Sequence, residues 1–315
     1  RDVPVEAQAP FGERKRPLFG GHETFVFRQG WLKKGVDLVE QSPTIFSQAD
    51  ALVRLGVGKN MVRSIRYWCL ATGLVEALSE GPKTALRPTP LAESLLADTG
   101  RDPYLEDIGT LWLLHWQLVS GAEYTYVWHE TFTRFGEQQF TKQRLTHFIE
   151  QQLQLANVQT TSRTIEREVD VCLRMYSTTK SKARGTVLES LDCPLVELGL
   201  IRPSRDERTF TFSIGPKPLL PVEVFGYALL QYLSQIANHR RTVAVDECVY
   251  LPGSPGQAFK LDENSVVDYL EILEDRLSGA ITLQETAGLR QIYLHDWPMD
   301  NLPKRMLALL RSYYG

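Results

Sequence analysis

The stretch FSQADALVRLGVGKNMVRSIRYWCLATGLVEAL, residues 46–78, constrains the fold more than any other part of the chain. A first helix, starting near Ser47 or Gln48, would turn Ala51, Leu52 and Leu55 inward. The glycines of Gly56-Val57-Gly58 then break it, because glycine tolerates the positive φ of a tight turn. A second helix begins at Lys59, and its inward stripe has spacings of three and four: Val62, Ile65, Cys69 and Thr72. Gly73 ends this helix and a short strand follows.

The order helix, three-residue turn, helix, strand is typical of a winged helix-turn-helix. KTALRPTPLAESLLAD then supplies a return strand and, after Thr89, a further short helix. The outer face of the second helix carries side chains suited to DNA phosphates and base edges: Lys59, Asn60, Arg63, Arg66 and Tyr67. A solvated basic surface and a protein-binding module are the alternatives to DNA contact.

Residues 140–218 predict a second module of the same kind. Thr141 caps a helix that ends near Leu155, and Thr161 or Ser162 caps another with an apolar stripe at Ile165, Val169, Cys172 and Leu173. LVELGLIRPSRDERTFTFSIG, residues 195–215, then predicts a helix end, a strand, a polar turn and an alternating strand, which together make a wing. We expect 177–185 to be a mobile basic loop, and a second phosphate-facing group to comprise Arg163, Arg167, Lys180, Lys182 and Arg184.

The last region, 219–315, predicts amphipathic helices, with Val266, Leu270, Leu273 and Leu277 inward, and a hairpin turning at Ala287-Gly288. Its acidic part, 242–279, would repel phosphates and is interpreted as a scaffold or protein-partner face. The predicted fold is therefore mainly α with small β-hairpins as wings, in tandem winged helix-turn-helix modules. The predicted divisions are an arm at 1–30, a winged helix at 31–97, a helical linker at 98–139, a second winged-helix-like domain at 140–218 and a C-terminal domain at 219–315.

Composition narrows the functional classes. The net charge is -3 over 315 residues, so any nucleic-acid site must be a local patch. The longest apolar run, near 108–116, is too short for a membrane span. The four cysteines, Cys69, Cys172, Cys193 and Cys248, form no CxxC pair, which favours a reducing cytoplasm over a zinc or disulfide framework. None lies in a glycine-rich or basic loop, which disfavours a sulfur carrier.

The sequence GGHETFVFR, residues 20–28, holds the candidate catalytic residues His22 and Glu23. If ETFVFR is a strand, alternation puts these two side chains on opposite faces and buries Phe25 and Phe27 together. A bend at Gly20-Gly21 would instead let His22 and Glu23 face one polar cleft and hold a metal ion. Downstream of this strand, Arg28, Lys33 and Lys34 would extend the basic surface. The common nuclease, hydrolase and nucleotide-binding motifs do not occur in the sequence.

FGGHETF followed by RQGWLKKG, leading into a helix-turn-helix pattern, resembles the bacterial domain family of unknown function found in DNA phosphorothioation operons of the Ssp defence system. The resemblance extends from Phe19 to the C-terminal helix. It implies a role in exchanging oxygen for sulfur in DNA backbones and in phage defence. It implies three companion proteins: a cysteine desulfurase, an ATPase and an adenylating sulfurtransferase-like enzyme. Members are described as DNA nickases, for which Mg²⁺ or Mn²⁺ is the expected ion.

Two hypotheses follow from the sequence. The first is a DNA-binding nickase that admits the modification machinery. The second is a non-catalytic DNA-binding adaptor or a transcriptional regulator of the same system. We expect DNA and the companion proteins as partners and no membrane, and a homodimer stays open.

Overall fold

The computed structural model describes residues 16–78, 85–121, 123–177, 193–206, 208–295, 297 and 299–315. These residues form a mainly helical molecule with three small antiparallel sheets, which confirms the predicted balance of helix and hairpin. The finer assignment to tandem winged helix-turn-helix modules stays a prediction, as do the domain boundaries.

The N-terminal region contains the elements expected from the helix-turn-helix pattern. Its helices and strands are α1 (Trp31–Gln41), α2 (Ala51–Leu55), α3 (Lys59–Ala71), β1 (Val75–Ala77), β2 (Leu86–Pro88) and α4 (Pro90–Leu96). Gly56 has φ 68° between α2 and α3, a conformation that glycine adopts without strain. The predicted stripe of α3 is buried, whereas Leu52 is 37% exposed because α2 has only five residues and buries Ala51 and Leu55.

Two buried helices, α5 (Ile108–Ser120) and α6 (Tyr126–Thr133), follow in the segment expected to be a helical linker. They contact elements of all three regions. Trp128 on α6 packs edge-on against Trp68 on α3 with ring centroids 5.6 Å apart. His115 on α5 lies 5.3 Å from the Tyr176 ring in the second region, and Trp116 Nε1 donates to Gln231 in the third at 2.7 Å. The segment is thus the centre of the hydrophobic core.

The second region is built from β3 (Gln139–Thr141), α7 (Lys142–Leu155), α8 (Ser162–Tyr176), β4 (Ile201–Pro203) and β5 (Thr209–Phe212). The predicted caps are confirmed: Thr141 Oγ1 accepts the N–H of Arg144 and Thr161 Oγ1 accepts the N–H of Thr164, both at 3.2 Å. The strands form a sheet of order β3-β5-β4. The sequence did not predict β3, because three residues are too few to show alternation.

The third region repeats this arrangement with a longer hairpin. Its elements are α9 (Val222–Ile236), β6 (Thr242–Ala244), α10 (Val245–Tyr250), α11 (Pro255–Phe259), α12 (Glu263–Arg276), β7 (Ile281–Thr286), β8 (Leu289–Leu294) and α13 (Leu302–Tyr314). The hairpin turns where predicted, with φ 52° at Ala287 and 78° at Gly288. Val266, Leu270 and Leu273 are buried as expected, and Leu277 is half-buried. Within the described residues, no helix has the length and apolarity needed to cross a membrane.

Candidate functional site

The GGHETF sequence forms a loop wedged between α3 and α8. The Glu23 N–H donates to the carbonyl of Gly20 at 3.0 Å, and the Phe25 N–H donates to that of His22 at 2.8 Å. Glu23 and Thr24 both have positive φ, 50° and 66°, which no β-strand allows. The predicted strand at ETFVFR is therefore wrong. Its alternation fails too, since Val26 and Phe27 are both buried whereas Phe25 is half-buried.

His22 lies inside an aromatic cage. Its side chain is 1% exposed, and its ring centroid is 5.6 Å from that of Tyr67, 6.1 Å from Trp68 and 6.2 Å from Trp128. Nδ1 accepts the Thr24 N–H at 3.0 Å, so the ring proton belongs on Nε2. Nε2 lies 3.0 Å from Glu168 Oε1, but its N–H is too poorly aimed to make a hydrogen bond. Both ring nitrogens thus face protein groups rather than solvent.

Glu23 points away from His22. Its carboxylate Oε1 lies 3.1 Å from Arg63 Nη1 in a pair that is open to solvent. The two candidate catalytic side chains therefore diverge, and the condition for a shared metal, a common polar cleft, is not met. Throughout the described part of the chain, no group of three or more His, Cys, Asp and Glu side chains is arranged to hold a metal ion.

Glu168 is one of the loop-contacting residues that were not predicted as site residues from the sequence. Its side chain is 2% exposed and its Oε1 accepts the Gly20 N–H at 2.6 Å. A signal was present, because position 168 falls on the same helical face as Ile165, Val169 and Cys172. A carboxylate on a buried face requires a partner. The partner lies 146 positions earlier in the chain and no local pattern identifies it.

The predicted outer face of α3 is only partly exposed. Lys59, Asn60 and Arg63 are exposed and Arg66 is half-buried. Tyr67 is buried, and its hydroxyl donates to the Tyr124 carbonyl at 2.6 Å, so its placement among the exposed residues is wrong. Burial, followed by the charge of Glu168, raises the pKa of Tyr67 well above its usual range. Any Cβ at Gly21 would collide with the Tyr67 ring, which explains the second glycine of the loop.

The loop is also fixed from the side of α8. Arg174 Nη2 donates to the Thr24 carbonyl at 2.8 Å and its Nε donates to Asp170 at 3.0 Å. Asp170 also accepts from Lys142 Nζ at 2.8 Å. Arg163 and Arg167, predicted from the sequence, are exposed on the same helix. Arg174 was not predicted, because its role depends on a contact 150 residues away in the chain.

The other predicted basic residues are dispersed. Arg28 lies over the Trp31 ring at 5.5 Å from its centroid. Lys33 pairs with Asp37 at 2.7 Å and with Asp98 at 2.8 Å, whereas Lys34 is exposed. Lys180, Lys182 and Arg184, with the predicted loop 177–185 beyond Ser177, lie outside the described residues. Contact of all these residues with DNA stays a prediction.

The four cysteines do not form a reactive site. All are buried. Burial raises the pKa of Cys69 and Cys193 to about 12, and it raises those of Cys172 and Cys248 as well. A sulfur carrier needs a thiolate, which these surroundings oppose.

The family model described as "Protein of unknown function (DUF4007)" matches residues 19–314. Two solved structures are similar over 94% of this chain and 87% of theirs, at 31% identity. One is described as a magnesium ion-bound SspB with a TM-score of 0.83, the other as SspB with a TM-score of 0.82. The search of curated proteins gave no match.

The family match covers nearly the whole chain, including the GGHETF loop and every helix described above. The chain therefore belongs to the DUF4007 family and is similar in sequence and structure to SspB.

Proposed function

We propose that the chain is a DNA-binding component of a phosphorothioate modification system and that it nicks one DNA strand to admit sulfur. Similarity to SspB at 31% identity over 94% of the chain supports the assignment to such a system. Phage defence, a cytoplasmic location and winged-helix modules belong to the same proposal.

The observation that carries the proposal is the position of two helices with basic surfaces on either side of one loop. Helix α3 exposes Lys59 and Asn60, and α8 exposes Arg163 and Arg167. Exposed arginine and lysine side chains position a protein on the DNA backbone. Because the loop contacts both helices, the distance between their basic residues is fixed. Both sets of residues can therefore contact the same DNA duplex.

The proposed partners besides DNA are a cysteine desulfurase, an ATPase and an adenylating sulfurtransferase-like enzyme. A homodimer stays a prediction that analytical ultracentrifugation would decide. Mg²⁺ or Mn²⁺ is the proposed ion for nicking, since one solved SspB is described as magnesium-bound. Among the described residues, no group of three or more His, Cys, Asp and Glu side chains is arranged to hold such an ion.

A non-catalytic DNA-binding adaptor is the second candidate. Two observations favour it. Within the part of the chain that the structure describes, no cluster of metal-ligating side chains is formed, and His22 is buried away from Glu23. A transcriptional regulator of the same system would likewise need no catalytic site.

Purified protein on supercoiled plasmid, with Mg²⁺ or Mn²⁺ and with EDTA, separates these candidates. Nicked circles that require the ion support the nickase. Retarded plasmid without nicked circles supports the adaptor. If the protein neither nicks nor retards the plasmid at low salt, DNA binding is contradicted, because phosphate contacts are strongest at low salt.

A further inference from the structure

The corner formed by Glu23 and Thr24 has an unusual backbone. Two consecutive non-glycine residues adopt left-handed φ, and threonine is β-branched, which makes φ 66° rare. The corner persists because both flanking helices hold it. Arg63 from α3 pairs with the Glu23 carboxylate, and Arg174 from α8 donates to the Thr24 carbonyl. His22 Nδ1 accepts the intervening Thr24 N–H.

Donors remain available at this corner. Arg63 Nη1 donates to the Glu23 carboxylate, whereas Arg63 Nε and Nη2 have no partner among the described residues. Arg174 uses Nε and Nη2, and its Nη1 likewise has no described partner. Thr24 is exposed, and its hydroxyl makes no hydrogen bond to any described residue. The corner thus presents two guanidinium groups and a hydroxyl, the groups that bind phosphate oxygens.

The charges also favour an anion here. The Arg63–Glu23 pair has side chains that are 56% and 28% exposed, so it is a weak surface pair that another anion can replace. On the other side, Lys142 and Arg174 both pair with the carboxylate of Asp170, so Arg174 does not have that carboxylate to itself.

We propose that the Glu23–Thr24 corner is a binding site for a DNA phosphodiester and that Glu23 occupies the place of a phosphate on Arg63 in the free protein. Arg63 and Arg174 then bring α3 and α8 to the same stretch of backbone. This inference rests on the proposed DNA binding and adds the loop as a contact point between the two helices. Glu23 acts as an internal competitor that weakens non-specific binding.

The test measures the affinity of a fluorescein-labelled duplex by anisotropy over a series of salt concentrations. Glu23→Gln removes the competitor without changing side-chain size. We expect it to bind about threefold to tenfold more tightly and to raise the salt slope by about one unit, as for one added phosphate contact. Arg174→Gln should weaken binding and lower the salt slope by about one unit.

Matched controls come from an exposed ion pair of the C-terminal hairpin. Glu285 Oε2 lies 3.1 Å from Arg290 Nε, and the two side chains are 57% and 36% exposed. Glu285→Gln and Arg290→Gln make the same charge changes and should leave affinity and slope at wild-type values. Melting temperatures of all four variants show whether the fold is intact. If Arg174→Gln does not fold, Glu23→Gln alone decides.

Two failures are distinguishable. A folded Glu23→Gln variant that binds no more tightly than Glu285→Gln would overturn the phosphate site while leaving DNA binding intact. A wild-type chain that binds no duplex at low salt would overturn the proposed function, and this site with it.

Discussion

At the scale of single residues, His22 and Glu23 are neighbours with opposite roles. His22 packs among three aromatic rings and faces Glu168 in the core, whereas Glu23 makes a pair open to solvent. The sequence shows a polar pair after two glycines. It does not show which way each side chain points, because two left-handed residues replace the regular alternation of a strand.

The first prediction compares these two residues in stability. His22→Ala leaves a cavity between the rings and removes the neighbour of the buried Glu168 carboxylate, so it should cost about 2–4 kcal/mol. Glu23→Gln should change the free energy of unfolding by less than about 1 kcal/mol. Urea denaturation of both variants measures the difference. Equal stabilities would contradict the core placement of His22.

The second prediction concerns Lys260, a buried lysine of the third region. Its side chain lies over the Phe212 ring, with Nζ 4.3 Å from the centroid. Burial, followed by the charge of Lys217, lowers the pKa of Lys260 to about 7. Above pH 7 the unfolded chain keeps a proton on Lys260 that the folded chain releases, so this residue makes stability rise with pH up to the ordinary lysine value.

Lys260→Met removes this dependence. The stability advantage of the variant over wild type should shrink between pH 6 and pH 9.5 by an amount on the order of 3 kcal/mol. Denaturant midpoints across that pH range measure it, with Lys304→Met as an exposed control. An advantage that stays constant with pH would show that Lys260 is charged throughout.

At the scale of elements, Phe25 and Phe27 make unequal aromatic contacts with α1 and α3. Phe27 is fully buried and packs edge-on against Trp68 at 5.8 Å. Phe25 is half-buried and contacts Trp31 at 6.3 Å. A regular strand would have buried both equally.

The third prediction follows from this difference. Phe27→Ala should cost about 3–5 kcal/mol, the range for a fully buried phenylalanine. Phe25→Ala should cost clearly less, since part of its surface is in water in the folded state. Chemical denaturation of the two variants checks the order. Equal losses would mean that the segment packs as the alternating strand first predicted, and a larger loss for Phe25→Ala would contradict the burial of Phe27.

At the scale of the whole molecule, local patterns predicted much of the fold and little of the site. The stripes of α3 and α8, the caps at Thr141 and Thr161 and the hairpin at Ala287-Gly288 all follow from periodicity or turn chemistry. The contacts of His22 with Glu168 and of Thr24 with Arg174 do not. They join residues about 150 positions apart, and only the packing of the three regions around α5 and α6 brings them together.

DNA binding through α3 is the claim on which the proposed function depends, and the salt dependence of duplex affinity tests it most directly. The triple variant Lys59→Ala/Arg63→Ala/Arg66→Ala should bind more weakly, with the salt slope reduced by about one unit for each lost phosphate contact. A triple variant of Arg241, Lys304 and Arg311, which are exposed in the C-terminal region, removes the same charge elsewhere and should bind like wild type. An α3 variant that keeps the wild-type affinity and salt slope would contradict the proposal.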